Sequence, residues 1–212
     1  MYFSFFLASL LLALSPGPDN LYVLAQSLQA GARVGVAITL GLCSGLLVHT
    51  ALVALGVAQF IGQRPWALAL LALFGCGYLA YLAWGSWRSG VVVIDLNGSA
   101  DEASQRSLAS FYGRGVVMNL SNPKVLLFFL AFLPQFVPAG VGAAGQIMVL
   151  GGLFITAALL VFITIAVMAA RISRWLVGSR RWQLGVNRAV ALVLTLLALR
   201  LGWLGVVQVT AV

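Results

Sequence analysis

Charged side chains are scarce in this chain, and their scarcity argues against a soluble fold. They make up 8% of the 212 residues, whereas 62% of the residues are hydrophobic and the mean hydropathy is +1.07. Soluble domains carry about 25% charged residues. The composition therefore predicts a protein that resides in the lipid bilayer.

Histidine, cysteine and acidic residues are few as well, and this limits the chemistry that the chain can perform. There are one histidine, two cysteines and four acidic residues. Cys43 and Cys76 stand in apolar stretches without a CxxC or Cys/His cluster, so we interpret them as packing residues. Hydrolytic or metal chemistry needs a nucleophile with a base, or a cluster of His, Asp and Glu, and ATP-driven pumping needs a P-loop. We therefore expect no enzyme, no metal site and no cofactor.

Long apolar stretches, by contrast, are abundant. A membrane-spanning helix needs about 20 mostly apolar residues. The first stretch has no basic residue before Arg33 and continues apolar to Leu28, which argues against a cleaved signal peptide. The predicted fold is an all-α integral membrane protein with six transmembrane helices, at roughly 2 to 28, 35 to 61, 66 to 87, 111 to 136, 145 to 169 and 186 to 208.

The distribution of arginine predicts the orientation. A net charge of +8 would suggest nucleic acid binding in a soluble protein, but here we expect none, because the arginines fall between apolar stretches. With six spans, the loops on one side carry only Arg64. By the positive-inside rule the opposite, Arg-rich side is cytoplasmic and both termini are periplasmic. That side carries Arg33, Arg88, Arg106, Arg114, Arg171, Arg174, Arg180, Arg181 and Arg188.

Prolines interrupt the first and fourth apolar stretches at matching places. Three spans in each half imply that the second half enters the membrane in the opposite direction, as an inverted repeat. Paired broken helices in two such halves indicate a transporter whose substrate binds near the bilayer midplane. We predict a first repeat over 1–90, a cytoplasmic linker over 91–110 and a second repeat over 111–212.

The broken segments supply both acceptors and donors of hydrogen bonds. Proline lacks an N–H group, so the carbonyls of Leu12, Leu14 and Asn119 are expected to be free acceptors. The half-helices after each break present free N–H groups that favour a carboxylate. The alternative is a pair of simple kinks healed by Ser15, Ser121 or water. The candidate substrate-binding residues are Ser15, Pro16, Gly17, Pro18, Asp19, Asn20, Asn119, Asn122, Pro123 and Lys124.

Each break carries one ionisable side chain, Asp19 in the first and Lys124 in the second. A charge at the bilayer centre costs about 2.5 to 3.5 kcal/mol on insertion scales, so it should face the bundle interior and have a partner. Lys124 would hold a substrate carboxylate, and Asp19 would bind the substrate ammonium or carry a coupling proton. The alternative is a permanent Asp19–Lys124 ion pair that locks the halves together.

His49 is the only histidine and falls within the second apolar stretch. Gly41, Gly45 and His49 are spaced four residues apart, so the histidine should lie on a close-packed face rather than toward lipid. Its titration range suits a proton relay. A hydrogen-bonded packing role is the alternative.

The ordered motifs of the chain resemble the LysE/RhtB amino-acid exporter family over nearly its whole length. They are Leu14–Asp19, Gly77–Leu82 with Trp84 and Trp87, Asn119–Lys124, and Phe128–Phe136. The resemblance implies a bacterial inner-membrane exporter of amino acids or their relatives driven by the proton gradient, with the two proline motifs as signature elements. His49 is similar to a feature of the homoserine and threonine branch.

The few carboxylates restrict the substrate. A cationic side chain would need a second carboxylate in the membrane, but Asp95, Asp101 and Glu102 all lie in the linker. We therefore expect export of small neutral amino acids or derivatives of the threonine, homoserine or branched-chain kind by proton antiport. A channel or an ion or metal transporter is the alternative, a membrane-embedded enzyme is a weaker one, and the oligomeric state, with a homodimer as one option, is left open.

Overall fold

The computed structural model describes residues 1–15, 17–60, 65–88, 107–137, 142–172 and 180–210. All regular structure in these ranges is helical, and they contain no strand. The helices are α1 (Tyr2–Leu14), α2 (Pro18–Ala30), α3 (Ala32–Phe60), α4 (Pro65–Arg88), α5 (Leu108–Leu120), α6 (Pro123–Leu127), α7 (Ala143–Ile172) and α8 (Arg180–Thr210).

Proline and glycine define several helix boundaries. Pro18 and Pro123 stand at the first positions of α2 and α6, where the missing N–H group would have had no helical partner anyway. Gly31 alone separates α2 from α3, and its φ of 88° is a conformation that glycine adopts without strain. The chain therefore reverses tightly between α2 and α3.

The segment after the second break is irregular. α6 continues as a wide π-type turn over Phe128–Phe132 and ends in a 3₁₀ turn over Leu133–Phe136. The helix pair Leu108–Leu120 and Pro123–Phe136 is bent by 49° at the break. Single π turns inside helices occur frequently at functional sites.

Helix α3 packs on α5 and α7, α1 and α2 pack on α7, and α4 pairs with α8. Glycines bring α3 and α5 together: a Cβ at Gly41 would overlap the carbonyl of Tyr112, and one at Gly115 would overlap the carbonyl of Ile38. Small residues at helix contacts allow this close approach in membrane proteins.

The helices cover the six predicted apolar stretches, with the first and fourth divided at the breaks. By length and apolar composition, three helices in the described ranges can cross a membrane, Ala32–Gly56, Ala143–Ala169 and Asn187–Val207, and the bent pair can form a fourth span. The six-span inverted repeat and the boundaries 1–90, 91–110 and 111–212 stay predictions, and residues 89–106 lie outside the described residues.

A buried polar site where two broken helices meet

The first break follows the end of α1. The Ser15 N–H donates to the carbonyls of Leu11 and Leu12 at 3.0 and 3.1 Å. The expectation that the Leu12 carbonyl is free was therefore wrong, because the last turn of α1 tightens. The Asn20 amide donates to the Ala13 carbonyl at 2.7 Å, and the Ser15 carbonyl is bonded from the other half of the chain. Pro16 lies outside the described residues.

The second break is closed by Asn122. Its Oδ1 caps α6 by accepting from the Lys124 N–H at 3.0 Å, as is typical of an asparagine N-cap. The Asn119 carbonyl, which loses its helical partner to Pro123, accepts from the Asn122 N–H at 3.0 Å. His49 Nε2 lies 3.3 Å from the same oxygen, a hydrogen bond in the tautomer that is protonated at Nε2.

The two breaks are bonded to each other. Asn122 Nδ2 donates to Asp19 Oδ2 at 2.8 Å, and Lys124 Nζ donates to the Ser15 carbonyl at 2.8 Å. All four residues are buried, including Asp19 at 5% and Lys124 at 8% exposure. No direct ion pair joins Asp19 to Lys124, so these side chains link the two breaks through two separate hydrogen bonds.

The site has unused hydrogen-bonding capacity of both kinds. Asp19 Oδ1 is buried and has no hydrogen-bond partner in the described part of the chain. An unsatisfied buried acceptor is costly. An ammonium has three donors, and Lys124 Nζ uses one of them on Ser15. The backbone of Gly17 lies beside this nitrogen, because a Cβ placed at Gly17 would be 3.6 Å from it. An ammonium group could bind at Asp19, and a carboxylate at Lys124.

Most of the predicted site residues converge at these breaks. Ser15, Asp19, Asn20, Asn119, Asn122 and Lys124 take part in its hydrogen bonds, and Gly17, Pro18 and Pro123 shape its backbone. His49 is bonded to the Asn119 carbonyl, and its ring lies 5.9 Å from that of Phe129. It contacts the site through the backbone of α5 rather than through Asp19.

A cluster of phenylalanine rings follows Lys124 of the second break along the chain. Phe5 of α1 lies against Phe128, Phe132 and Phe136, and the ring centroids in this group are 4.8 to 6.3 Å apart. Phe154 of α7 extends it. The sequence signal for this cluster is the recurrence of phenylalanine every four residues after Lys124, which places the rings on one face of that helical segment.

Two arginines and one tyrosine form contacts that the sequence did not predict. Arg114 was assigned to a cytoplasmic loop, but it lies within α5 and donates to the Tyr22 hydroxyl of α2 at 3.3 Å. Arg200 lies within the predicted last span, with its guanidinium carbon 5.1 Å from the centre of the Phe136 ring. A charged residue inside an apolar run was the available signal for both arginines.

Metal-ligating side chains do not gather in the described residues. No three of His, Cys, Asp and Glu come together there, and Cys43 and Cys76 are free thiols.

Comparisons with known proteins identify the family of this chain. A family model described as LysE type translocator matches residues 10–205. A homoserine/homoserine lactone efflux protein of Salmonella typhimurium is 32% identical over 188 residues, which is 89% of each chain. The protein of the same name from Salmonella typhi is 31% identical over the same share.

An uncharacterized membrane protein of Pseudomonas aeruginosa is 33% identical over 148 residues, 68% of this chain and 67% of that protein. No solved structure matches. The family match covers nearly the whole chain and includes both breaks. The chain therefore belongs to the LysE type translocator family, and it is a membrane transport protein rather than an enzyme.

Proposed function

We propose that this protein exports small neutral amino acids or their derivatives, of the threonine, homoserine or branched-chain kind, from the bacterial cytoplasm by proton antiport. The observation that carries the proposal is the pairing of an unpartnered acceptor, Asp19 Oδ1, with the incompletely used ammonium of Lys124 in one buried site. An amino-acid zwitterion supplies the complementary ammonium and carboxylate groups. The names of the Salmonella relatives support the same substrate class.

Neutral side chains are favoured because Asp19 is the one carboxylate that the described residues bring to the site. Asp19 would be occupied by the substrate's own ammonium, so a lysine or arginine side chain would be buried without a partner. The nearby aromatic cluster of Phe5, Phe128 and Phe132 is apolar and suits a small uncharged side chain.

Proton coupling would involve Asp19 and His49. A proton on Asp19 would neutralise the buried carboxylate when no substrate is bound, so substrate and proton would compete for the same group. His49 is bonded to the carbonyl of Asn119 beside the break, and an imidazole can both accept and donate a proton. Exchange of the substrate for a proton at Asp19 is the expected basis of antiport.

The proposed topology has six spans in two inverted repeats in the inner membrane, with both termini periplasmic. Its support is the arrangement of helices on the six apolar stretches and the concentration of arginine on one side. Single cysteines introduced near Ala139 should react with an impermeant thiol reagent from outside, whereas those near Ser179 should not. The reverse pattern would contradict the inverted repeat.

Counterflow in proteoliposomes tests the function. Vesicles loaded with threonine or leucine should accumulate the labelled compound from outside, and unlabelled neutral amino acids should compete better than lysine or arginine. Stronger inhibition by the basic amino acids would contradict the argument from the single carboxylate. Current that does not saturate with concentration would indicate a channel instead.

A further inference from the structure

Arg200 is a charged residue in an apolar helix and lies away from the site described above. It belongs to the part of α8, Asn187–Val207, that can cross a membrane. An arginine in such a segment is costly unless it has a partner or reaches the interface, and by default it marks a functional site. Its role must therefore be sought in what surrounds it.

No acidic residue lies beside Arg200 among the described residues. Its guanidinium lies over the ring of Phe136 at 5.1 Å, and the described residues provide no carboxylate within ion-pair distance. Asp19 is bonded to Asn122 at the breaks. The other three acids follow the end of α4 at Arg88. Gly75 packs against Leu201, next to Arg200, and 13 residues of α4 from Gly75 to Arg88 span about 20 Å. The end of α4 at Arg88 is therefore far from Arg200 along the α4–α8 pair.

Arg200 lies at the far end of the aromatic cluster from Lys124. The cluster begins at Phe128, one helical turn after Lys124, and ends at Phe136, under the guanidinium. Phe136 itself stacks edge-on against Phe5 of α1 with ring centroids 5.3 Å apart. The chain therefore places one cation on each side of the phenylalanine rings.

We propose that Arg200 forms a second binding site for the substrate carboxylate, occupied after the substrate passes the aromatic cluster on its way out. The guanidinium offers two parallel N–H donors that match a carboxylate. Binding of an anion would draw the guanidinium from the face of Phe136 and so loosen the ring that packs against Phe5. This inference rests on the proposed export function and on the outward orientation of the Phe136 end.

The test compares two arginines of the same helix. Arg188 also stacks on an aromatic ring, with its guanidinium carbon 5.9 Å from the centre of Trp87, but it lies near the opposite end of α8. Arg200→Gln should raise the half-saturating substrate concentration at least about tenfold when substrate is supplied to right-side-out vesicles, as expected for loss of one charge-assisted hydrogen bond. It should change the value in inside-out vesicles by less than about twofold. Arg188→Gln should change neither value.

Arg200→Lys keeps the charge but not the planar fork, so it should recover part of the loss. The amount of each variant inserted in the membrane is measured in parallel. Equal changes from both sides, or no change from outside, would overturn the inference. No transport by the unmodified protein would contradict the proposed function, and the inference with it.

The headgroup of an anionic lipid could supply the same oxyanion chemistry, so the measurement is repeated in two lipid compositions. In vesicles of phosphatidylcholine alone and in vesicles with added phosphatidylglycerol, a substrate site should show the same effect of Arg200→Gln. An effect confined to vesicles that contain phosphatidylglycerol would show that Arg200 binds an anionic lipid headgroup, and it would overturn the assignment to substrate.

Discussion

The polar side chains and carbonyls of the first break accept hydrogen bonds from the second break, which supplies the donors. The Ser15 carbonyl and the Asp19 carboxylate are the acceptors, and the Asn122 amide and the Lys124 ammonium are the donors. Both breaks begin a new half-helix with a proline at its first turn, so their backbone design is similar. Their side chains are complementary, which joins the two breaks and, under the proposed function, offers one site for a ligand that carries both charges.

The largest expected effect comes from removing either charge. Lys124→Met and Asp19→Asn should each lower export at least about a hundredfold, because the substrate loses a charged partner in a buried site. Export is measured as labelled amino acid released from loaded cells, together with the amount of protein in the membrane. Asp101→Asn, in the predicted linker, is the matched control and should export normally.

The exchange of both charges sharpens this result. If Asp19→Lys combined with Lys124→Asp restores full export, the two residues are structural partners and the substrate role is wrong. The separate bonds to Asn122 and Ser15 lead us to expect no restoration, because each charge would then face the wrong neighbour.

The positions of the breaks follow from the sequence, but their partners do not. Pro18 and Pro123 locate the new half-helices because proline cannot donate to the preceding turn. The partner of Asp19 depends on how α2 and α6 are rotated relative to each other, and no local pattern encodes that rotation. The same limit explains why a direct Asp19–Lys124 pair was a reasonable alternative and why the tightened end of α1 at Ser15 was not foreseen.

The six helical stretches follow from hydropathy, whereas the irregular end of the fourth does not. An apolar run is compatible with an α-helix or a π turn, so the wide turn at Phe128–Phe132 depends on packing against α1 and α7. Arg200 could have been found from the sequence as a charge within the last apolar stretch. Its contact with Phe136 required the arrangement of α8 beside the second break.

A smaller effect is expected at Asn122, which contributes to both breaks. Asn122→Ser should keep the N-cap of α6 but cannot reach Asp19, so export should fall about tenfold while the melting temperature in detergent stays nearly unchanged. Asn122→Ala should lose the cap as well and melt at a lower temperature. Equal melting temperatures and equal export for the two variants would show that the bond to Asp19 does not matter for transport.

His49 tests whether the proton pathway is separate from the breaks. Glutamine can still donate to the Asn119 carbonyl but cannot carry a proton near neutral pH. In His49→Gln, export driven by a pH gradient should fall about tenfold, whereas counterflow without a gradient should change by less than about twofold. A similar fall in both measurements would indicate that His49 only packs against α5.

The smallest effect is expected at the link between Tyr22 and Arg114, which joins α2 to α5 away from the phenylalanine cluster. Under the proposed topology it lies on the cytoplasmic side of the breaks, so its loss should favour the state open to the cytoplasm. An exposed hydrogen bond contributes little, and Tyr22→Phe should lower the half-saturating cytoplasmic substrate concentration only about two- to threefold. Tyr112→Phe removes a comparable hydroxyl bond, to Ser44 of α3, but glycine contacts already hold α3 against α5. Tyr112→Phe should therefore leave the half-saturating cytoplasmic substrate concentration unchanged. An equal shift in both variants would mean that the hydrogen bond between Tyr22 and Arg114 has no special role in opening the site.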